Sequence, residues 1–540
     1  MATSHFFNGK QVKLPGVYSV VKSISPAVFS VATYSKAIII NTDPTIGFGG
    51  SINGELTKGS DALYRLRNLS EAQSFFKNGK LWNLASPLFR PSTSDGVDGI
   101  SELYYINALT TTAPTITPSF SSGGKLVIQC KDEGPCSNGK TVTTDKGDQL
   151  SQGYALSIIT GERDTSKYIF QLWLGTFKGY HTDNLPYDGI SEISALPELV
   201  IQSPEVSSIK EFVDWANLNE DFVNGFSIKE FVDAELSTTD KTDNTLVLSV
   251  GGTAQYKLAD LEDVLDTIKS LDFNVILSLN VHGESGSDVI NSRLQLFVQK
   301  ETRTAKFLAI PGVSTGQKKD FTDNCTAAKS FNSEKVWLIH GTPRKNSSIS
   351  PKGYRIYDST YLAAAIVGRT IGLAPQIPCT FKNIGIDGLE VGLTDLQKGD
   401  ALDCGVLTVV YDEDFGEYVI LRGVNTLKDN TRIQNPDGTS FSIQITRICA
   451  QLNQDLSINA KKEIFGTNTG ANANTVSTKY VENWVKAFLS SKIATPQQDN
   501  IILSFSDVST VRKGDALFTT YKFETNTEIA FAFFTGFALN

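Results

Sequence analysis

The residues of this chain that come nearest to a catalytic constellation are His282, Ser285 and Ser287, in the run His282-Gly283-Glu284-Ser285-Gly286-Ser287. A hydroxyl nucleophile needs a histidine base and an acid within hydrogen-bonding reach. The run has the residue types but lacks the G-x-S-x-G elbow that presents a nucleophile on a strand-to-helix turn. The four histidines, His5, His181, His282 and His340, are far apart and show no metal-ligand spacing. A loop or surface role is the expectation for each. Ser249-Val250-Gly251-Gly252-Thr253 follows an apolar run, where phosphate loops occur. It has neither the Lys-Ser/Thr of a P-loop nor G-x-G-x-x-G spacing, so a tight strand-to-helix turn is expected. Gly47 to Ser51 fails the same test. Asp412-Glu413-Asp414 could hold a cation but lacks EF-hand spacing, and it reads as a solvated hairpin tip. No catalytic residue, cofactor or metal is therefore expected, and the chain is not read as an enzyme.

The remaining chemistry is charge. Lys461, Lys462, Lys479, Lys486 and Lys492 gather positive charge near the C-terminal helices of a chain whose formal net charge is −9. They form either a solvated face or a docking surface for an acidic partner. The acidic whole argues against wrapping nucleic acid, which needs a basic face. No run approaches the roughly 20 apolar residues of a membrane span, so no membrane insertion is expected. The N-terminus lacks the basic start and apolar stretch of a signal peptide, which favours folding in a cytoplasm. Six cysteines without a CxxC pair fit free thiols, with a small-loop disulfide across Cys130 and Cys136 as the alternative.

Positioning these residues takes several domains, since 540 residues are too many for one core. Residues 1 to about 28 read as an extended arm. Ala37 to Ile40 is a short buried strand, and Ser70-Glu71-Ala72-Gln73 is an S-x-x-Q helix start. A second helix is expected over 81–89 and a strand over 103–108. From about 120 to 202 short strands and turns alternate, as in a small β-sandwich. Ser203-Pro204-Glu205 offers an N-cap serine and an N1 proline for a helix. From about 244 the pattern becomes βαβα, which implies a largely parallel sheet with helices on its faces. The Tyr361–Gly368 run predicts a small-residue helix that packs closely. The segment from about 385 reads as α+β, with a hairpin around 412–417 and helices near 443–456 and 480–491.

The chain ends in two strand-like runs, Leu517 to Phe523 and Glu528 to Asn540, and starts with another at Pro15 to Lys22. A strand with unpaired backbone groups seeks a partner edge, and a terminal strand is readily donated to a neighbouring subunit. Val17, Tyr18, Val20 and Val21 at one end, and Ile529, Phe531, Phe533 and Phe537 at the other, are the candidate residues for exchange between subunits.

Four stretches, in order, resemble the tail sheath proteins of contractile bacteriophages and related injection machines. They are Leu14-Pro15-Gly16-Val17-Tyr18, the run Leu69 to Phe76, the Gly251-Gly252 turn with the series through Gly368, and Tyr418 to Leu427 with Ile445 to Ile448. The resemblance implies hexameric rings stacked helically around a tail tube, with baseplate and tail terminator proteins as further partners. It implies no cofactor, a subtilisin-like domain without a triad, and a C-terminal domain facing the tube, for which Lys479, Lys486 and Lys492 are the candidates. It also implies a virion location, with assembly in the host cytoplasm.

The expected fold is accordingly a multidomain α/β and α+β chain: an α/β sheath core with an inserted small β-sandwich domain and extended N- and C-terminal β-arms. The expected borders are an arm over 1–28, the first part of the core over 29–110, and the insertion over 111–203. An α/β domain over 204–384, a tube-facing domain over 385–515 and a strand arm over 516–540 follow. A non-contractile shell or adhesin, or a degenerate hydrolase, are the competing readings.

Overall fold

The computed structural model describes residues 5–7, 10–12, 35–43, 63–76, 80–92, 99–134, 137–144, 147–175, 198–242, 246–300, 306–346, 353–427, 441–464, 477–495, 501–513 and 516–525. They fall into two compact units, a larger one between residues 35 and 454 and a smaller one holding 455–524 with the short N-terminal strands.

The larger unit is built on a seven-stranded sheet. Its strands are β1 (Lys36–Asn41), β2 (Tyr64–Leu66), β3 (Glu102–Asn107), β4 (Val275–Leu277), β5 (Phe307–Pro311), β6 (Val336–Ile339) and β7 (Val406–Leu407). They lie in the order β7-β6-β5-β4-β1-β3-β2, all parallel except β2. Every residue of β3, β4, β5 and β6 is buried. That follows from helices covering both faces, which lets the strands read as continuous apolar runs. Side chains alternate between two cores. Ile39, Tyr105 and Trp337 face the helices Lys80–Phe89 and Ser359–Gly372. Ile38, Ile40 and Leu308 face the helices Leu258–Ile268, Ser287–Lys300 and Lys319–Phe331. The small residues of the Ser359–Gly372 helix do allow close packing. A Cβ on Gly368 would stand 2.5 Å from the Leu88 carbonyl oxygen and 2.7 Å from that of Pro87.

Helix Leu69–Phe76 starts two residues earlier than the S-x-x-Q pattern places it. Asn68 is its cap, with Oδ1 accepting from the Glu71 N–H at 2.8 Å, while Glu71 Oε2 accepts from the Arg67 N–H at 2.7 Å. Ser70 is thereby inside the helix.

A β-rich domain is inserted between β3 and β4. The chain enters along Leu109–Thr112 and returns antiparallel along Thr253–Tyr256, with Thr112 opposite Thr253. A five-stranded sheet places Glu198–Gln202, Tyr168–Gly175, Gly147–Thr160 and Val247–Leu248 side by side, with Lys140–Thr144 also on the long strand. A three-stranded sheet joins Phe226–Val232, Lys125–Cys130 and Thr115–Ile116.

The expected border at 203 is therefore corrected to about 252. The helix Ile209–Leu218 buries Ile209, Phe212 and Val213 in the core of the insertion, where Phe212 stacks on Phe170 at 4.2 Å. Val247–Leu248 likewise belongs to the inserted sheet and does not open the α/β series. Ser203-Pro204 starts no helix, because Ser203 Oγ accepts from the Phe170 N–H and Val206 exchanges backbone bonds with Tyr168. Both hold the segment extended, and Ser208 is the cap that opens the helix.

The border at 384 is also crossed. A helix over Asp395–Cys404 begins with a reciprocal capping box between Thr394 and Gln397, ends at Gly405 with φ +76°, and leads into β7 of the central sheet. The expected hairpin is present as Val409–Asp412 against Glu417–Ile420, extended by Asn383–Ile384.

In the smaller unit, the helix Thr478–Ser490 is capped by Ser477 and buries Val481, Trp484, Val485 and Phe488. Ser504–Lys513 and Ala516–Glu524 form an antiparallel hairpin with Phe505 opposite Phe523 and Val511 opposite Phe518. The expected arm border at 516 falls inside this hairpin, since its first strand pairs along the second. His5–Phe7 pairs with Lys10–Val12. No helix among the described residues is long and apolar enough to cross a membrane.

Candidate assembly surfaces

In open α/β sheets, ligands bind beyond the carboxyl ends of the parallel strands. Here that end holds a network of buried polar groups, most of them bonded to one another. After β4, Asn280 Nδ2 donates to Thr42 Oγ1 at 2.6 Å, and Ser278 Oγ donates to Asn291 Oδ1 at 2.7 Å. After β5, Asn324 Oδ1 accepts from the Val313 N–H, and Ser359 Oγ donates to the Gly312 carbonyl. After β6, His340 Nδ1 lies 2.8 Å from Asn324 Nδ2. His340 is buried, and burial holds its pKa down to about 4 against the opposing charge of Asp320. A neutral, buried imidazole whose Nδ1 accepts from an amide is a packing element, and these groups spend their donors and acceptors on one another.

The His282 run gives no triad. His282 Nδ1 stands 2.7 Å from Asp288 Oδ1, which also accepts from the Gly283 N–H at 3.1 Å, and the ring packs edge-on to Phe331. Among the described residues no serine hydroxyl bonds to His282. Gly251 and Gly252 lie between two strands at the base of the insertion, not before a helix. Asn138 Oδ1 accepts from the Gly252 N–H and Asn138 Nδ2 donates to its carbonyl, both at 2.8 Å. That N–H is thus committed to a side chain. Among the described residues no three His, Cys, Asp or Glu side chains gather as a metal site.

The exchange candidates Val17, Tyr18, Val20, Val21, Ile529, Phe531, Phe533 and Phe537 lie outside the described residues. The hairpin that precedes the C-terminal candidates is described. Among the described residues its two strands pair with each other alone. Along Ala516–Glu524 exposed and half-buried residues alternate without one becoming buried, and Thr510 is the buried residue of Ser504–Lys513. Phe518 is 53% exposed and its cross-strand neighbour Val511 equally so. The hairpin is anchored on one side, where Glu482 Oε1 accepts from the Thr510 N–H at 3.0 Å.

The three lysines of the basic surface differ in state. Lys479 is exposed and its Nζ lies 3.0 Å from Glu482 Oε2. Lys486 is on the same helix. Lys492 is buried, with its Nζ 2.7 Å from the equally buried Asp455 carboxylate. Its charge is used inside the smaller unit instead of being displayed, because a buried ammonium requires a close counter-charge. Sequence spacing contained no signal for this pair, which spans 37 residues.

No protein-family model and no curated protein matches the sequence. Solved structures do match in fold. The sheath tail protein from Desulfitobacterium hafniense aligns over 95% of this chain and 100% of its own, with 11% identity and a TM-score of 0.55. The sheath tail protein from Listeria innocua aligns over 91% and 96%, with 14% identity and a TM-score of 0.48. The helical sheath of the anti-feeding prophage in its contracted state aligns over 97% and 99%, with 10% identity and a TM-score of 0.45. Across 95% of its length the chain has the fold of a sheath tail protein.

Proposed function

We propose that this chain is the repeating subunit of a contractile tail sheath. It polymerises as hexameric rings around a tail tube and contracts to drive the tube through a host cell envelope. The observation that carries the reading is the likeness in fold to the D. hafniense sheath tail protein along 95% of this chain and all of that one. The open hairpin of the smaller unit supports it, because a sheath has to keep its subunits joined while they move.

In this reading the N-terminal residues Val17, Tyr18, Val20 and Val21 and the C-terminal residues Ile529, Phe531, Phe533 and Phe537 complete sheets in neighbouring copies. Each donated strand contributes several backbone hydrogen bonds at roughly 1 kcal/mol net apiece. Each buried aromatic or isoleucine adds roughly 1.5–3 kcal/mol. Contraction needs no nucleotide: the extended lattice is metastable, and interfaces gained on shortening outweigh those lost. The tail tube protein, the baseplate and a tail terminator are the partners, and the location is the tail of a virion assembled in the host cytoplasm. Lys479 and Lys486 are the candidates to face the tube, and the inserted domain faces outward.

Negative-stain imaging of the purified full chain tests the proposal. Hollow tubes are the expected result, and flat or closed shells would replace the sheath reading with that of a shell protein. Ending the chain after Thr525 is expected to leave a folded, soluble protein that forms no tubes. Tubes from the shortened chain would remove the strand-exchange part of the proposal.

A further inference from the structure

We propose that Cys325 and Cys404 are a redox pair that closes to an intramolecular disulfide when the folded chain meets a small-molecule disulfide. The proposal stands on the larger unit alone and does not rest on the sheath reading.

Cys325 lies on the Lys319–Phe331 helix and is 7% exposed. Cys404 is the last residue of the Asp395–Cys404 helix and is half-buried. The two helices pack on the same face of the central sheet, and the Cys404 side chain joins the apolar cluster that contains Cys325, Phe321 and Ala328. Cys404 is a neighbour of the Cys325 thiol, which burial first and Cys404 second push up. The backbone holds this arrangement. The Gly405 N–H donates to the carbonyls of Ala401 and Leu402, and the next residues pair with β6. Cys404 is thus clamped between a capped helix end and a sheet strand. Cys130 lies in the core of the inserted domain and Cys449 on the helix Ile443–Glu463, on other elements.

Cys404 is the more exposed thiol and reacts first. Its proton passes to solvent, and the thiolate attacks one sulfur of oxidised glutathione, forming a mixed disulfide and expelling one glutathione thiolate. Cys325 then gives up its proton and attacks the Cys404 sulfur, breaking the mixed disulfide and expelling the second thiolate. The chain loses two hydrogens, and the oxidant takes up two electrons and two protons as two thiols. A high Cys325 pKa makes the second step the slow one, so the mixed disulfide accumulates before the bridge. The bridge closes a long loop and ties the helix entering the edge strand β7 to the helix layer beneath it, which raises stability.

The test incubates the full-length protein with oxidised glutathione and follows intact mass, with peptide mapping under non-reducing conditions. The expected course is a glutathione adduct at Cys404 that decays to a chain two hydrogens lighter. Its 325 and 404 peptides are linked, its thermal midpoint is raised, and dithiothreitol reverses all three. In Cys325→Ser the adduct at Cys404 persists, and in Cys404→Ser neither adduct nor bridge forms and the midpoint does not move. A permanent Cys404 adduct in the unaltered chain, or a bridge from either residue to another cysteine, would overturn the proposal. So would an equal oxidative rise in Cys404→Ser.

Discussion

The central sheet and the terminal hairpin are made of similar residues and end in opposite states. In β3, Leu103, Tyr104, Tyr105 and Ile106 are all buried. In the hairpin, Phe505, Phe518, Tyr521 and Phe523 remain half-buried or exposed, on strands of 10 and 9 residues that are longer than any in the central sheet. The difference lies in what covers each strand. Central strands have a neighbour on each edge and a helix layer on each face. Among the described residues the hairpin has one ladder and one anchoring helix. A two-stranded ribbon is marginal by itself in water, and under the sheath proposal strands of neighbouring copies would cover this one.

This contrast can be broken at its strongest point first. Trp337 is fully buried and stacks on Phe307 at 5.3 Å. Trp337→Ala is expected to cost about 3–5 kcal/mol in urea unfolding, through lost transfer energy and a residual cavity. A loss no greater than that of a hairpin substitution would refute the picture of a closed central core.

Acid should reach the larger unit through His340. Its folded pKa of about 4 lies below the ordinary 6.5, so the unfolded chain binds a proton that the folded chain refuses. Stability is complete above pH 6.5, is lost as pH falls toward 4, and levels off below. The largest loss from this group is about 3 kcal/mol. His340→Gln should flatten the stability profile in that window, and an unchanged slope would show that the titrating group lies elsewhere.

Lys306 sharpens the contrast between buried and displayed charge. It is fully buried, its Nζ donating to the carbonyls of Ile268 at 3.0 Å and Lys269 at 3.1 Å, with the Phe273 ring centroid 4.1 Å away. It closes the C-terminal end of the Leu258–Ile268 helix, where the helix dipole favours a cation. Lys306→Met removes the ammonium donor from both carbonyls, leaving that of Ile268 with the Leu271 N–H, and should cost about 1–3 kcal/mol. The same change at the exposed Lys479 should be nearly silent in thermal unfolding.

The smallest effect on the isolated chain is expected in the hairpin. Phe518→Ser should change its stability by less than about 0.5 kcal/mol. In the proposed assembly the same substitution should impair tube formation, read by sedimentation. A large loss of monomer stability would mean that the hairpin already finds its cover within one chain.

Much of the fold was legible because local rules operate there. The Leu258 to Ile268 stripe, the strands at 275, 307 and 336, and the small-residue helix before Gly372 follow from periodicity and side-chain size. The misreadings share a cause. Ser203-Pro204 has every mark of a helix start, yet bonds to Phe170 and Tyr168 keep it extended. Val247–Leu248 reads as the first strand of the α/β series, yet its free partner is the strand Gly147–Thr160 of the insertion. Ser504–Lys513, rich in polar residues, shows no apolar alternation and was visible only once Ala516–Glu524 lay against it.

The amino-acid sequence by itself determined the α/β pattern and the lack of a recognisable catalytic motif, since these rest on residue type and near-neighbour spacing. Tertiary structure decided where the insertion ends and that the strand ends carry a network of buried polar groups. It also paired Lys492 with Asp455 and packed the helix of Cys325 against that of Cys404. Those depend on partners tens to hundreds of residues away, which no local pattern encodes.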